Sequence, residues 1–197
     1  DNDYNTFIPS LTLPKQISTT NTVKLAYSKR ITRPSLQFLN PYVNTSNIQA
    51  ATEGNPTLSP EVSQTYELDY ITFIGGSVLN FSAYYKHTAG VIENIAIATA
   101  GNAGTLTTYQ NAAVNNSFGG SFFGSVSPWK PITLRASINV YSYNPTPYAQ
   151  YQQFFSQTGV YWQYSGFASA ELDLKNGFIA QAFTFGSSPR RTIQGSS

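Results

Sequence analysis

The stretch Gly54-Asn55-Pro56-Thr57-Leu58-Ser59-Pro60-Glu61, with Tyr66-Glu67-Leu68 following closely, decides how this chain is read. Proline fixes its own backbone and lacks an N–H, so neither a helix interior nor a central strand continues through two of them. The segment punctuates the chain and then delivers it into an alternating, β-prone run. It is a loop-to-strand junction, and the remaining question is which medium the β-structure lives in.

The clearest strand answers part of that question. Ile132-Thr133-Leu134-Arg135-Ala136-Ser137-Ile138-Asn139-Val140 puts Ile132, Leu134, Ala136, Ile138 and Val140 on one face, and Thr133, Arg135, Ser137 and Asn139 on the other. Val23, Leu25 and Tyr27 oppose Lys24, Ala26 and Ser28 in the same way. So do Tyr66, Leu68 and Tyr70 against Glu67 and Asp69, and Leu79, Phe81, Ala83 and Tyr85 against Ser82, Tyr84 and Lys86. Within 178–185 the parity is unresolved, because Gln181 shares a side with Phe183 and Phe185.

Composition supplies the medium. Charged residues make up 10% of the chain and aromatic residues 15%, with 14 Tyr and 13 Phe, whereas ordinary soluble domains are about 25% charged. Residues 94–129 and 136–170 contain no Lys, Arg, Asp or Glu. Neither stretch holds the roughly 18 consecutive apolar residues of a membrane helix. Hydrophobicity hidden in alternation is the signature of a transmembrane β-barrel, whose strands meet lipid with every second side chain. On that reading Arg135 on the lipid face would cost about 2–4 kcal/mol, so it points into the lumen. A soluble β-sandwich would show the same alternation but needs a more charged surface.

Cysteine is absent and net charge is +2, which removes disulfide frameworks and thiolate metal sites. The basic runs Lys29-Arg30 and Arg190-Arg191 are too short for nucleic-acid binding. Asp1-Asn2-Asp3 does not open a signal peptide, and the expectation is that the start is cut from a longer precursor.

Turn signals divide the chain into about eight strands, near 4–15, 22–33, 62–74, 78–93, 105–126, 131–143, 158–174 and 178–188. Connections at 18–21, 75–77, 127–131 and 175–177 are tight, while 34–61, 94–104 and 144–157 are long. Outer-membrane barrels have short periplasmic turns and longer outer loops, so the first strand is expected to descend.

The motifs resemble those of TonB-dependent outer-membrane receptors. The 54–61 junction with its trailing Tyr66-Glu67-Leu68 is similar to one late in their barrels. Tyr27-Ser28-Lys29-Arg30-Ile31-Thr32-Arg33-Pro34-Ser35, Leu39-Asn40-Pro41 and Ser188-Pro189-Arg190-Arg191-Thr192-Ile193-Gln194-Gly195 look like neighbouring segments in the same order. Asp69 departs from the pattern, which usually has glycine there. The resemblance implies an all-β fold, a transmembrane antiparallel barrel in which residues 1–197 supply about eight consecutive strands of about 22. It implies a bacterial outer-membrane location, contact with membrane lipid, an N-terminal plug outside this sequence and coupling to TonB through that plug. The implied activity is energy-coupled uptake of a bulky nutrient such as a glycan, peptide or metal chelate, with a surface lipoprotein as a possible partner. A closed eight-stranded barrel is the nearer structural rival, since eight strands can close around their own side chains. A scaffolding or secretion-associated barrel that transports nothing is the functional alternative.

Candidate site residues fall in two groups. Lys24, Glu67, Asp69, Lys86, Arg135, Glu171 and Asp173 are expected in the lumen, pairing with one another and facing the plug. Tyr148, Tyr151, Phe154, Phe155, Tyr161 and Trp162 lie in the 141–162 region, where aromatic faces among amides suit sugars, peptides or a protein partner. The same residues also suit an interfacial girdle and loop packing. His87 is the single histidine and reads as a strand residue near the outer interface. The carboxylate pairs Glu67/Asp69 and Glu171/Asp173 lack a nucleophile or cleft signal, so no enzyme, metal site or cofactor is expected.

Overall fold

The computed structural model describes residues 7–47, 49–98, 104–155, 159–174, 177–189, 191–192 and 195–196. The alternating runs pair into one antiparallel meander. Its strands are β1 (Ser10–Gln16), β2 (Asn21–Thr32), β4 (Glu61–Ile74), β5 (Ser77–Ala98), β6 (Thr105–Trp129), β7 (Ile132–Tyr143), β9 (Tyr161–Asp173) and β10 (Ile179–Ser187), in that spatial order. Two short strands, β3 (Ala50–Thr52) and β8 (Pro145–Pro147), pair with β6 near its start. Among the described residues the helical pieces are α1 (Leu36–Leu39) and a 3-10 turn over Ala149–Phe154. The sheet is open, with β1 and β10 as its edges, so these strands do not close the eight-stranded barrel of the rival reading.

All eight expected strands form, with three differences. The first begins at Ser10 instead of 4, and residues 1–6 lie outside the described ones. The 94–104 loop is largely strand: β5 runs to Ala98 and β6 begins at Thr105, with 99–103 outside the described residues. The 144–157 loop opens with β8, which pairs Pro145 with Asn115 and Pro147 with Ala113. That register continues the β7 pairing of Tyr141 with Gly119. β8 is therefore β7 resumed after Asn144, whose N–H and C=O bond Asn115 and Asn116. In the 188–195 motif, Arg190, Ile193 and Gln194 lie outside the described residues, while β11 (Arg191–Thr192) pairs with β12 (Gly195–Ser196).

At the other end the turns are tight. Gly75 and Gly76 carry β4 into β5 with φ of 54° and 84°, conformations that only glycine adopts without strain.

Register sorts the side chains into two faces, because directly paired residues point the same way. One face carries the rows Leu25–Leu68–Ala83–Gly120–Val140 and Val23–Tyr70–Phe81–Phe122–Ile138. Leu25, Leu68, Phe81 and Ile138 are exposed. At the long-loop end this face is closed by an aromatic row, Tyr27–Tyr66–Tyr85–Phe118, with ring centroids 5.0, 6.4 and 4.8 Å apart. At the short-turn end Trp129 is exposed. Phe118 and Trp129 are about eleven residues apart on β6, the length of a tilted transmembrane strand. Two aromatic levels at that spacing bound an apolar band of membrane thickness.

Almost no apolar side chain is buried within the band. Among the described residues the buried apolar side chains are Leu58, Val91, Ile95, Ala112, Ala113 and Phe155, and all of these belong to the long-loop end.

Candidate functional site

The second face is polar toward the loops. One row runs Lys24–Asp69–Ser82–Ser121–Asn139–Ser165–Ser187 across the sheet. Lys24 Nζ lies 2.7 Å from Asp69 Oδ2, and the Ser82 hydroxyl donates to Asp69 Oδ1. Asp69 is 2% exposed. The residue that departs from the receptor pattern is thus the acidic centre of a cross-strand cluster. The adjacent row places Glu67, Tyr84, Gly119, Tyr141 and Gln163 in register. Tyr84 donates to Asn139 at 3.1 Å and Tyr141 to Gln163 at 2.8 Å.

Arg135 Nη1 lies 2.9 Å from Glu171 Oε2, which also accepts from Gln181 at 3.0 Å. Lys86 is on the same face, exposed and outside both ion pairs found among the described residues. Asp173 shares the parity of Glu171 at the end of β9 and is exposed. The seven expected interior residues therefore lie on one face, in two separate ion pairs with Glu67, Lys86 and Asp173 beside them. His87, midway along β5 and two residues past Tyr85 of the aromatic row, bonds Asn116 Oδ1 through Nδ1 at 2.8 Å, an acceptor shared with the Tyr85 hydroxyl.

Toward the short turns the same face changes character. Phe123 pairs through Ser137 with Phe167 and Phe185 in one row, and Phe183 lies beside Ser169 and Arg135 in the next. Phe183 and Phe185 are exposed on this face, while Ala180, Ala182 and Thr184 take the membrane side. This settles the parity left open in the sequence, where aromatic residues pulled toward lipid and Gln181 pulled inward. The sequence put Phe183 and Phe185 on the side of Gln181 without saying which side that is, and the pairing of Gln181 with Glu171 decides it.

Described parts of the 34–60 and 144–157 loops are fastened back onto β6 and form a cap at this end. Gly54 donates to Asn40 O at 2.9 Å and Asn55 N to Phe38 O at 2.6 Å. A Cβ on Gly54 would overlap the Asn40 backbone. The Asn55 carboxamide accepts from Thr57 and donates to Tyr109 O at 2.9 Å. Asn111 Oδ1 accepts from Ser59 N, and its Nδ2 donates to Ser59 O and Gly90 O. Leu58 is 2% exposed. Phe38 stacks on Tyr109 with centroids 4.3 Å apart. The junction motif is thus the clamp that fastens the 34–60 loop to β6.

The six aromatic candidates separate. Phe155 is 7% exposed and packs with Tyr151 and Phe154 against Val91, Ile95, Ala112 and Ala113, leaving Phe155 no free face. Tyr151 donates to Gln110 at 3.2 Å. The Tyr148 hydroxyl accepts from Gly90 N at 3.2 Å and its ring is exposed. Trp162 is on the membrane side of β9, exposed beside Tyr164 at the level of the aromatic row, whereas Tyr161 takes the other parity.

Two groups the sequence did not flag join this cap. The Tyr143 hydroxyl donates to Glu93 Oε1 at 2.9 Å, and Glu93 is 7% exposed. Burial raises the Glu93 carboxyl above its ordinary range, partly offset by the Tyr143 bond and reinforced by the Glu61 charge.

An open sheet with an apolar face of membrane thickness, a polar opposite face, tight turns at one end and a folded cap at the other is the wall of an outer-membrane β-barrel. The family model of the outer membrane protein beta-barrel family matches residues 1–197. The chain belongs to that family, and its place is the bacterial outer membrane. The siderophore receptor PirA from Pseudomonas aeruginosa superposes with a TM-score of 0.58 at 17% identity, over 92% of this chain and 41% of the receptor. The ferric enterobactin receptor PfeA from the same organism gives a TM-score of 0.47 at 14% identity, over 96% of this chain and 36% of that one. The fold assignment rests on the family match and the first structure. The chain thus spans well under half the length of these receptors. No curated protein matches it.

Proposed function

We propose that this chain is part of the barrel of a TonB-coupled receptor that takes up a bulky nutrient across the outer membrane. The observation that carries the reading is the polarised interior face, with ion pairs and amides beneath a folded loop cap and exposed phenylalanines toward the tight turns. Such a wall suits a wide lumen that holds a plug and passes a solute beside it. Lys86 is the charge best able to meet a plug, since Lys24 and Arg135 are already paired with Asp69 and Glu171. Asp173, exposed and outside both ion pairs, is a further plug contact, and Glu67 supports the Lys24–Asp69 cluster. In the cap, Tyr148 and Tyr161 are the aromatic residues proposed to touch a ligand. The substrate class remains a glycan, peptide or metal chelate, with a surface lipoprotein as a candidate partner.

The test is deletion of the full gene followed by growth on iron chelates, glycans and peptides as limiting nutrients. A growth defect on one class, reproduced by dissipating the proton-motive force, supports energy-coupled uptake. Normal growth on all, with a stable protein partner recovered on the folded barrel, would replace transport by the scaffolding reading.

A further inference from the structure

β7 reaches the loop end with Arg135, Asn139 and Tyr141 on the interior face, and Tyr143 continues that parity. Its hydroxyl meets Glu93 on β5, which pairs with Gln110 on β6. Gln110 in turn accepts the Tyr151 hydroxyl. The neighbours of Gln110 on β6, Tyr109 and Asn111, bond the 34–60 loop. Successive residues of a strand face opposite ways, so the Tyr151 contact at Gln110 and the Phe38 and Ser59 contacts at Tyr109 and Asn111 fall on opposite faces of β6. The one continuous with the interior face carries the segment after β8.

That segment is fastened at several points. Tyr148 N donates to Ala112 O at 2.8 Å, Tyr151 bonds Gln110, and Phe155 is buried in the apolar cluster. Residues 144–155 carry no Lys, Arg, Asp or Glu, so nothing holds the segment in solvent against this docking. Two register irregularities, between Thr88 and Val91 and between Val91 and Ile92, adjoin the docking site, and Gly90 has φ 67° there. Bulges re-aim the side chains that follow them, here turning Glu93 toward Tyr143.

We propose that residues 148–155 form a strap folded inward over the loop-end mouth, which a large solute must displace to enter. Phe155 is its anchor, and the Tyr143–Glu93 and Tyr151–Gln110 bonds are its latch. The inference rests on the interior being a passage, and its test reads the strap independently of uptake.

The experiment uses the full-length protein. Ser165→Cys, exposed on the interior face in the row of Asn139, is labelled on intact cells with a small maleimide and with a bulky polyethylene-glycol maleimide, in the parent and in Phe155→Ala and Tyr151→Phe backgrounds. Hydrogen exchange of the Tyr148 and Phe155 amides is followed in nanodiscs, with β6 amides over 118–126 as the folding control. Exchange at the strap should rise about tenfold in Phe155→Ala and severalfold in Tyr151→Phe, with the β6 control unchanged. Labelling by the bulky reagent should accelerate in the same order while the small reagent is unaffected. Faster exchange with unchanged bulky labelling would remove the strap from the mouth, and unchanged exchange in both variants would remove the anchor and latch. Intact gating with no uptake of any nutrient would instead overturn the transport reading alone.

Discussion

Tyr84 lies across Gly119, its partner on the neighbouring strand, so that a Cβ on the glycine would overlap the tyrosine ring. The ring is aimed by its hydroxyl, which donates to Asn139 two strands away. Gly119 is therefore a recess that seats an aromatic side chain and fixes three strands in register. Gly119→Val should destabilise the folded barrel by about 1–3 kcal/mol through overpacking. Gly186→Ala, where an added Cβ meets nothing within 4 Å, should stay within about 0.5 kcal/mol of the parent. Urea unfolding of the full-length protein in detergent compares them, and equal midpoints would contradict the seat.

Leu134 and Arg135 test which face is which. Leu134 shares the apolar row with Val126 and Ala170, whereas Arg135 reaches Glu171 on the opposite face. Spin labels at the two positions in reconstituted protein should be relaxed by oxygen at 134 and by a water-soluble nickel chelate at 135. Equal accessibility of the two would overturn the assignment of faces.

The strands and the parity of β7 were legible because alternation there is complete, and Arg135 has only one affordable direction in a membrane. The β5–β6 extension was not legible from the sequence. Residues 94–104 mix Ile and Ala with Asn and Gly, which resembles a loop when pairing with a partner strand is unknown. β8 was hidden by Pro145 and Pro147, which suggest a break, although β8 simply resumes the register of β7 after Asn144. Glu93 carried no local signal, since the Tyr143 hydroxyl it meets is distant in sequence. The facing of Phe183 and Phe185 stayed open because Gln181 shares their side, and the register with β9 decided it.

Loop and turn ends differ in what they expose, and orientation follows. Ser46 lies in an exposed turn of the 34–60 loop and Gly76 in the tight turn between β4 and β5. An epitope inserted after Ser46 should be detected on intact cells. The same epitope after Gly76 should appear only once the outer membrane is permeabilised. The reverse pattern would invert the barrel in the membrane.

Glu93 gives the cap a pH dependence with a definite sign. Its carboxyl is raised above the ordinary value, about 4.3 for an unperturbed glutamate, first by burial and then by the Glu61 charge, against the Tyr143 bond. The folded cap thus binds a proton more tightly than the opened one. Its stabilisation is complete below the ordinary value and is lost as pH rises through the raised one. Glu61, on the neighbouring strand, accepts from Ile92 N at 2.8 Å, and its charge disfavours the ionised form of Glu93. Protection factors of the Tyr148 and Phe155 amides, corrected for intrinsic exchange, should fall as pH rises from about 4 toward neutrality. Glu93→Gln keeps an acceptor for the Tyr143 hydroxyl and removes the titration. It should hold the cap at its acid-side protection across the range. A parent cap whose protection is flat with pH, or rises, would show that Glu93 does not ionise against its burial.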